Sequence, residues 1–382
     1  MTRRLRLLCI GRDLRPAGAE RVQAALFRHL DRSRFSVDLH YMSDGDDLLD
    51  DMPAGLAPRF GRNGRVPCKL AGARTLRRLV RAARQTDLIF ATQEGSPIYL
   101  AVMAGTVARK PVVGWIHGFW SRLRKEAGGW HAVASRILYP RASRLVCVSE
   151  GVRRDLESES RPLADRLAVL PNPLDIERIR SQSLEPAPLW AADLPDEGAI
   201  VACGRLMPDK GFDLLLEAFA KSVSSRRGVR LVVIGDGPER ARLESLVIDL
   251  GLQGRVSLTG HVANPYPIFR RAALFVLSSR VEGLGMALLE AMALRVPVVA
   301  FDSNGGGPRE VLGPQNYGQL VEVGNPGRLA DAIDRMLGDR AVAAACRDWG
   351  ERRAREFDAG PAARRFETLF QSVSDAARSR RS

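Results

Sequence analysis

The chain has 382 residues, 45% of them hydrophobic, with a formal net charge of +14 and an isoelectric point near 10.4. That length exceeds what one hydrophobic core organises and predicts two domains. No run of 18 apolar residues occurs, which argues against a membrane-spanning helix. The five cysteines form no CxxC pair, so they read as small buried hydrophobes of a reduced, cytoplasmic protein.

Short apolar strands alternate with helical stretches from end to end. LRLLCI (5–10) predicts a buried first strand, too short and too broken by Arg6 to be a secretory leader. In the loop after it, GRDLRPAGAER, Gly18 opens a helix. A glycine loop at a helix N-terminus offers N–H groups to a phosphate, and equally makes a plain turn. SVDLHY (36–41) is the next strand. Asp44, Gly45 and Asp46 then form a DxD triplet of the kind that binds a divalent metal. In the acidic run SDGDDLLDD it reads as a solvated loop. Arg74, Arg77, Arg78, Arg81 and Arg84 alternate with Leu76, Leu79 and Val80, which predicts a basic amphipathic helix over 74–84. Arg122, Arg124 and Lys125 add a second basic segment at 121–125. Such segments suit an anionic membrane surface as well as solvent. Without interleaved aromatic residues they do not suit nucleic acid.

DLIFA (87–91), PVVGW (111–115) and RLVCVS (144–149) complete the strands of the first half. His117 lies just past one of them and by itself reads as a hydrogen-bonded turn residue; Ser149 suits an N-cap. The Pro- and acid-rich stretch before residue 198 predicts the domain boundary. The expected organisation is an N-terminal domain over 1–175, a linker over 176–197 and a C-terminal domain over 198–360. A last amphipathic helix over 361–382 packs back on the N-terminal domain and ends in a basic tail. In the second half AIVACG (199–204), VRLVVIG (229–235), RVSLTG (255–260), LFVLS (274–278) and VPVVAF (296–301) are strands. Strands alternating with helices imply α/β architecture: two Rossmann-like, doubly wound parallel sheets covered on both faces. In such sheets ligands bind at the carboxyl ends of strands, and a central cleft between two such domains would face both sets of loops.

The second half carries the chemistry. In GRLMPDKG (204–211), Arg205 and Lys210 sit on the loop after the first strand and Gly211 leads into a helix, which makes a clamp for a diphosphate. In VVIGDGPER, Gly235 and Gly237 permit close backbone approach to a flat ligand. In GHVANPYP, backbone groups near His261 and Val262 are placed to read a nucleobase. Glu282 and Glu290 bracket EGLGMALLE, where Gly283 and Gly285 free the entry backbone. Glu290 then falls inside an apolar helix and needs a hydrogen-bonding partner, for which a polyhydroxylated ligand is one candidate. Eight residues of helix rise about 12 Å, so the two carboxylates can touch different parts of one ligand rather than flank one bond. Gly305, Gly306 and Gly307 make a permissive loop after the next strand. GxGxxG, Walker A, HExxH and GxSxG sequences are absent.

In this order GRLMPDKG, VVIGDGPER, SSRVEGLGMALLEAMALRVPVVAFD and GGGPREVL, with HG, VSEG and PNP in the first half, resemble the family-4 retaining glycosyltransferases. The resemblance runs over nearly the whole chain and is densest at 199–312. It implies the two-Rossmann GT-B architecture and a nucleotide-sugar donor, a UDP-sugar favoured over a GDP-sugar. The acceptor it implies is a saccharide or lipid-linked saccharide of the cell envelope, reached from the cytoplasmic side of the membrane. Arg205 and Lys210 would hold the donor diphosphate, so that neither metal nor other cofactor is required. Glu290 would bind the ribose, and Glu282 and His117 the transferred sugar. Gly18 would lie near the phosphate and acceptor. Gly204, Gly235, His261, Val262, Gly283, Leu284, Gly285, Gly306 and Gly307 would complete the donor-binding set. Gly285 and Met286 stand where many relatives carry proline, which leaves the donor sugar open. A sugar-nucleotide 2-epimerase of the same architecture and a non-catalytic binding protein are the competing expectations.

Overall fold

A computed structural model describes residues 3–14, 18–43, 52–53, 55–60, 68–127, 129–159, 161–191, 198–226, 228–315 and 319–380. The DxD triplet Asp44–Gly45–Asp46 lies outside them. The chain forms two compact units, Met1–Pro173 with Ala359–Ser382, and Leu174–Asp358.

In the first unit seven parallel strands, β1 (Leu5–Gly11), β2 (Phe35–Tyr41), β3 (Arg59–Phe60), β4 (Leu88–Ala91), β5 (Val112–Ile116), β6 (Arg144–Cys147) and β7 (Leu167–Val169), lie in the order β3-β2-β1-β4-β5-β6-β7. Helices α1 (Gly18–His29), α2 (Cys68–Arg84), α3 (Ser96–Ala108), α4 (Trp120–Ala127), α5 (Gly129–Leu138) and α6 (Glu150–Glu159) intervene. Leu7, Leu8, Cys9 and Ile10 are all fully buried, as a central parallel strand covered on both faces requires. Chain order reverses between β1 and β4, and ligands of doubly wound sheets bind at such a switch point.

The second unit repeats the scheme with six parallel strands, β8 (Ala199–Cys203), β9 (Arg230–Ile234), β10 (Val256–Leu258), β11 (Leu274–Leu277), β12 (Val298–Asp302) and β13 (Leu320–Glu322). Their order is β10-β9-β8-β11-β12-β13, with the switch between β8 and β11. Its helices are α7 (Ile176–Gln182), α8 (Phe212–Lys221), α9 (Val223–Arg226), α10 (Arg240–Asp249), α11 (Tyr266–Arg270), α12 (Met286–Ala293), α13 (Gly307–Leu312), α14 (Pro326–Gly338) and α15 (Arg340–Arg355). In α8, Phe212, Leu215, Leu216 and Phe219 recur at helical spacing and fill the core against Ile200, Val233 and Val276.

Two expectations change here. The stretch taken as a linker over 176–197 opens with α7, capped by the Asp175 carboxylate and seated by buried Ile176 and Ile179, and it belongs to the second unit. The last helix, α16 (Ala359–Ser379), begins two residues earlier than expected and is part of the first unit's core. Phe366 lies tilted against Trp115 with ring centroids 4.7 Å apart, and Phe370 meets Phe90 edge-on at 5.0 Å. The Glu367 carboxylate accepts from the Asp31 backbone N–H at 2.7 Å.

Candidate functional site

The loops after β8 and β11 leave the switch point of the second sheet side by side. Lys210 Nζ donates to Glu282 Oε2 at 2.7 Å, and Ser279 Oγ donates to the same oxygen at 2.9 Å. Gly211 stands in the left-handed region at φ 61°, with Ser278 O only 2.2 Å from where a Cβ would be; this close approach is what admits Lys210 to Glu282. Arg205 lies exposed on the same loop, its guanidinium making no ion pair among the described residues. The Glu282 carboxylate therefore already has a cationic partner, while a second cation stands exposed on the loop that carries Lys210.

Glu290 is half-buried in α12, five residues after Gly285, which starts that helix at φ 98°. The partner its burial demands is supplied within the chain: Tyr266 Oη donates to Glu290 Oε1 at 3.2 Å. The tyrosine stands in the GHVANPYP stretch whose His261 and Val262 drew the sequence argument. His261 is exposed at the end of β10, and Val262 is half-buried. Leu284 is 3% exposed, so its side chain is core. Gly283 is held from the next loop, where a Cβ on Gly307 would lie 2.7 Å from Glu282 O and 2.9 Å from Gly283 C. Gly306, at φ 74°, has open space instead.

Gly235 has a different use from the one its spacing suggested. A Cβ there would lie 2.0 Å from Gly204 O, so this glycine admits the neighbouring loop rather than a flat ligand. Gly204 N donates to Ile234 O at 3.0 Å and completes that contact.

In the first unit the loops after β1, β4 and β5 assemble a polar cluster at the sheet's own switch point. His117 Nε2 stands 3.0 Å from Thr92 O and donates to it, which leaves Nδ1 as the unprotonated nitrogen. The His117 backbone N–H donates to Glu94 Oε2 at 3.0 Å, and Asn172 of the PNP turn faces the ring. Burial pushes the imidazole pKa down against the opposing pull of the Glu94 carboxylate, so the ring is neutral near pH 7. Glu20, in the first turn of α1, is 5% exposed and accepts from Gln93 Nε2; Gln93 Oε1 in turn accepts from Arg12 N at 2.9 Å. Burial raises the Glu20 carboxyl to about 7. Sequence reasoning missed Glu20, Gln93 and Asn172, because no spacing marks a partner more than 50 residues away. A Cβ on Gly18 would meet nothing within 4 Å. Among the described residues no group of three or more His, Cys, Asp or Glu is arranged to hold a metal ion, and no helix is long and apolar enough to cross a membrane.

Two Rossmann-like units of this strand order are the GT-B fold. Anabaena HepE in complex with UDP has it too, with a TM-score of 0.80 at 22% identity, covering 96% of this chain and 100% of that one. The lipopolysaccharide outer core galactosyltransferase WaaB follows at 0.70 and 18%, covering 96% and 99%. The profile of the glycosyl transferases group 1 matches residues 192–355, and that of Glycosyltransferase Family 4 matches residues 16–178. The chain belongs to the family-4 glycosyltransferases. It is 30% identical over 222 residues, 58% of each chain, to the N-acetylgalactosamine-N,N'-diacetylbacillosaminyl-diphospho-undecaprenol 4-alpha-N-acetylgalactosaminyltransferase of Campylobacter jejuni. It is 34% identical over 238 residues to an exopolysaccharide phosphotransferase of Streptomyces coelicolor, 61% of this chain and 24% of that one. The matches thus span 58% or less of these relatives' length.

Proposed function

We propose that the chain is a retaining glycosyltransferase that moves a sugar from a nucleotide-sugar donor, a UDP-sugar in first place, to a saccharide or lipid-linked saccharide of the cell envelope. The observation that carries this reading is the pairing of Lys210 with Glu282 at 2.7 Å beside an exposed Arg205, all at the switch point of the second sheet. A diphosphate laid there meets Arg205, the remaining donors of the Lys210 ammonium and the end of α8. The same cations compensate the charge that grows on the diphosphate as the bond to the anomeric carbon breaks. The acceptor oxygen forms its new bond on the face the diphosphate leaves, and its proton passes to a donor phosphate oxygen. Glu282, held by Lys210 and Ser279, faces the transferred sugar. Glu290, held in α12 by the Tyr266 hydroxyl, is assigned to the ribose hydroxyls. His117 is held neutral by burial, donates from Nε2 to Thr92 O and keeps Nδ1 out of solvent, so its ring steadies the loop after β5 rather than offering an open acceptor. The UDP bound to HepE supports the choice of base, and the undecaprenol-linked substrate in the Campylobacter relative's name supports the class of acceptor.

A membrane-facing acceptor agrees with the surface of the first unit. Arg74, Arg77, Arg81 and Arg84 of α2 are exposed, but Arg78 is not available: its guanidinium donates to Phe60 O at 3.0 Å and Tyr41 O at 3.3 Å. On α5, Trp130, Val133 and Ile137 share one face and stay 59%, 58% and 50% exposed, an apolar stripe that suits a bilayer surface.

The test is thermal protection by UDP, GDP and ADP, followed by transfer from the matching nucleotide sugars and NMR of the product's anomeric configuration. An inverted product, or free epimerised donor with no transfer, overturns the reading. Vesicle sedimentation with phosphatidylglycerol tests the membrane part; equal binding to phosphatidylcholine vesicles would remove the anionic surface from it.

A further inference from the structure

Arg280 stands two residues before Glu282 and touches neither it nor Lys210. Its guanidinium grips the Asp213 carboxylate with both arms, Nη1 to Oδ1 at 2.8 Å and Nη2 to Oδ2 at 2.9 Å, and Nη1 also donates to Pro208 O at 2.9 Å. Its backbone is shared between two further loops: Arg280 N donates to Asp209 O at 2.7 Å, and Asn304 N donates to Arg280 O at 3.0 Å. One residue therefore ties the β8 loop that carries Lys210, the β11 loop that carries Glu282 and the β12 loop that carries the glycine run. Ser278 Oγ, donating to Lys210 O at 2.9 Å, closes the same seam.

The chemistry of the pair suits a rigid strap. A bidentate arginine–carboxylate contact fixes direction as well as distance, which a lysine point charge does not. Asp213 lies in the first turn of α8, where the helix dipole favours an anion. Burial raises the Asp213 carboxyl, but the bond and charge of Arg280 outweigh it and the net shift is downward; Arg280 is shifted up by Asp213 in return. Asp213 also receives Arg242 Nη2 at 3.0 Å from α10, so the strap is anchored on a second helix. Nothing in this arrangement is needed to fill the core, because the pair lies at the loop ends and Arg280 is one-third exposed.

We infer that Arg280 and Asp213 are positioning residues for the anion clamp: their bidentate contact sets the spacing of Lys210 and Glu282 before any ligand arrives. This rests on the diphosphate reading above, and the experiment separates the two. Wild type, Arg280→Lys, Arg280→Met and Asp213→Asn are compared by hydrogen exchange of peptides covering 204–211 and 278–285, then by UDP, GDP and ADP binding, then by kcat and KM for the matching nucleotide sugar. The expected result is loss of protection in both loops together in Arg280→Met and Asp213→Asn, with α10 and β9 peptides unchanged. A displacement of about 1 Å at a reacting centre costs on the order of a hundredfold in rate, so kcat should fall by about 10- to 100-fold while KM moves by less than about threefold. Arg280→Lys keeps the charge and loses the fork, so it should resemble Arg280→Met more than wild type. Unchanged protection in both loops, or a full rescue by Arg280→Lys, overturns the strap. If loop protection falls as expected but no nucleotide binds the wild type, the strap stands as a loop tie, and both the diphosphate reading and the assignment as positioning residues for a clamp are overturned.

Discussion

Replacing Lys210 with Gln is the sharpest perturbation of the proposed clamp, because its two consequences differ in size and in assay. Lys210 Nζ and Ser279 Oγ both donate to Glu282 Oε2, at 2.7 and 2.9 Å, and the two ionic side chains are 26% and 14% exposed. Loss of the ammonium leaves the carboxylate one hydroxyl and some water. An uncompensated partner costs about 1–3 kcal/mol when buried, and the residual exposure places this pair near about 1 kcal/mol. Removal of a positioned cation facing a developing oxyanion costs about 2.7–4 kcal/mol, a factor of about 10²–10³ in kcat. Thermal denaturation reads the first quantity and initial-rate release of nucleoside diphosphate the second. Glu282→Gln and the double variant complete a cycle: if Lys210 served only to hold Glu282, Lys210→Gln would add nothing to Glu282→Gln. A folded Lys210→Gln protein turning over within about threefold of wild type would refute the assignment.

Four further outcomes follow from particular residues. Gly235→Ala puts a Cβ 2.0 Å from Gly204 O at a φ of 140°, and should destabilise the second unit by about 2–4 kcal/mol in calorimetry. Gly18→Ala meets nothing within 4 Å, so it should leave stability within about 0.5 kcal/mol; a donor or acceptor phosphate against that backbone would appear as a raised KM alone. Phe370→Ala removes an edge-on partner of Phe90 from the first unit's core and should cost about 3–5 kcal/mol, read as a lower Tm of one transition. The Glu20 carboxyl is raised from its ordinary 4.5 to about 7, so the folded state binds the extra proton and stability falls as pH rises between those values. At about 1.36 kcal/mol per pH unit the loss reaches about 3 kcal/mol above pH 7, and denaturation across pH 4–8 should show it in wild type and not in Glu20→Gln.

Periodicity exposed the fold because both sheets are parallel and their inner strands are continuous apolar runs, such as LRLLCI and AIVACG. It did not expose β3, β7 and β13, which are two or three residues long and only part-buried at the sheet edges. The linker reading failed at α7 for a related reason. The 171–180 stretch has a turn and charges on its surface, and its two buried isoleucines, Ile176 and Ile179, are too few to show a period. In the site, residues that stand in a motif of their own loop were legible as candidates, as Lys210 after β8 and Glu282 after β11 were. Tyr266, Asp213 and Asn172 were not, because each acts on a group more than 20 residues away and has no local signature.

The same comparison changes what the apolar setting of Glu290 means. From sequence, a carboxylate in MALLEAMAL calls for a partner, and a ligand was one candidate for it. Tyr266 meets part of that call, Lys210 and Ser279 hold Glu282, and Gly235 is occupied by a neighbouring loop. Internal satisfaction of this kind is what a preformed site needs, since a polar group that waits for its ligand costs stability until the ligand arrives. The second unit therefore invites an anionic ligand less through an unmet demand than through a spare cation. Arg205 is exposed and without an ion pair among the described residues, and it stands on a loop held from three sides at the switch point of the sheet. A cation in that position strengthens no part of the second unit, so Arg205→Ala should leave Tm unchanged and weaken the protection that a nucleoside diphosphate gives. Equal protection of Arg205→Ala and wild type would remove Arg205 from the anion site and leave Lys210 as the clamp's single cation.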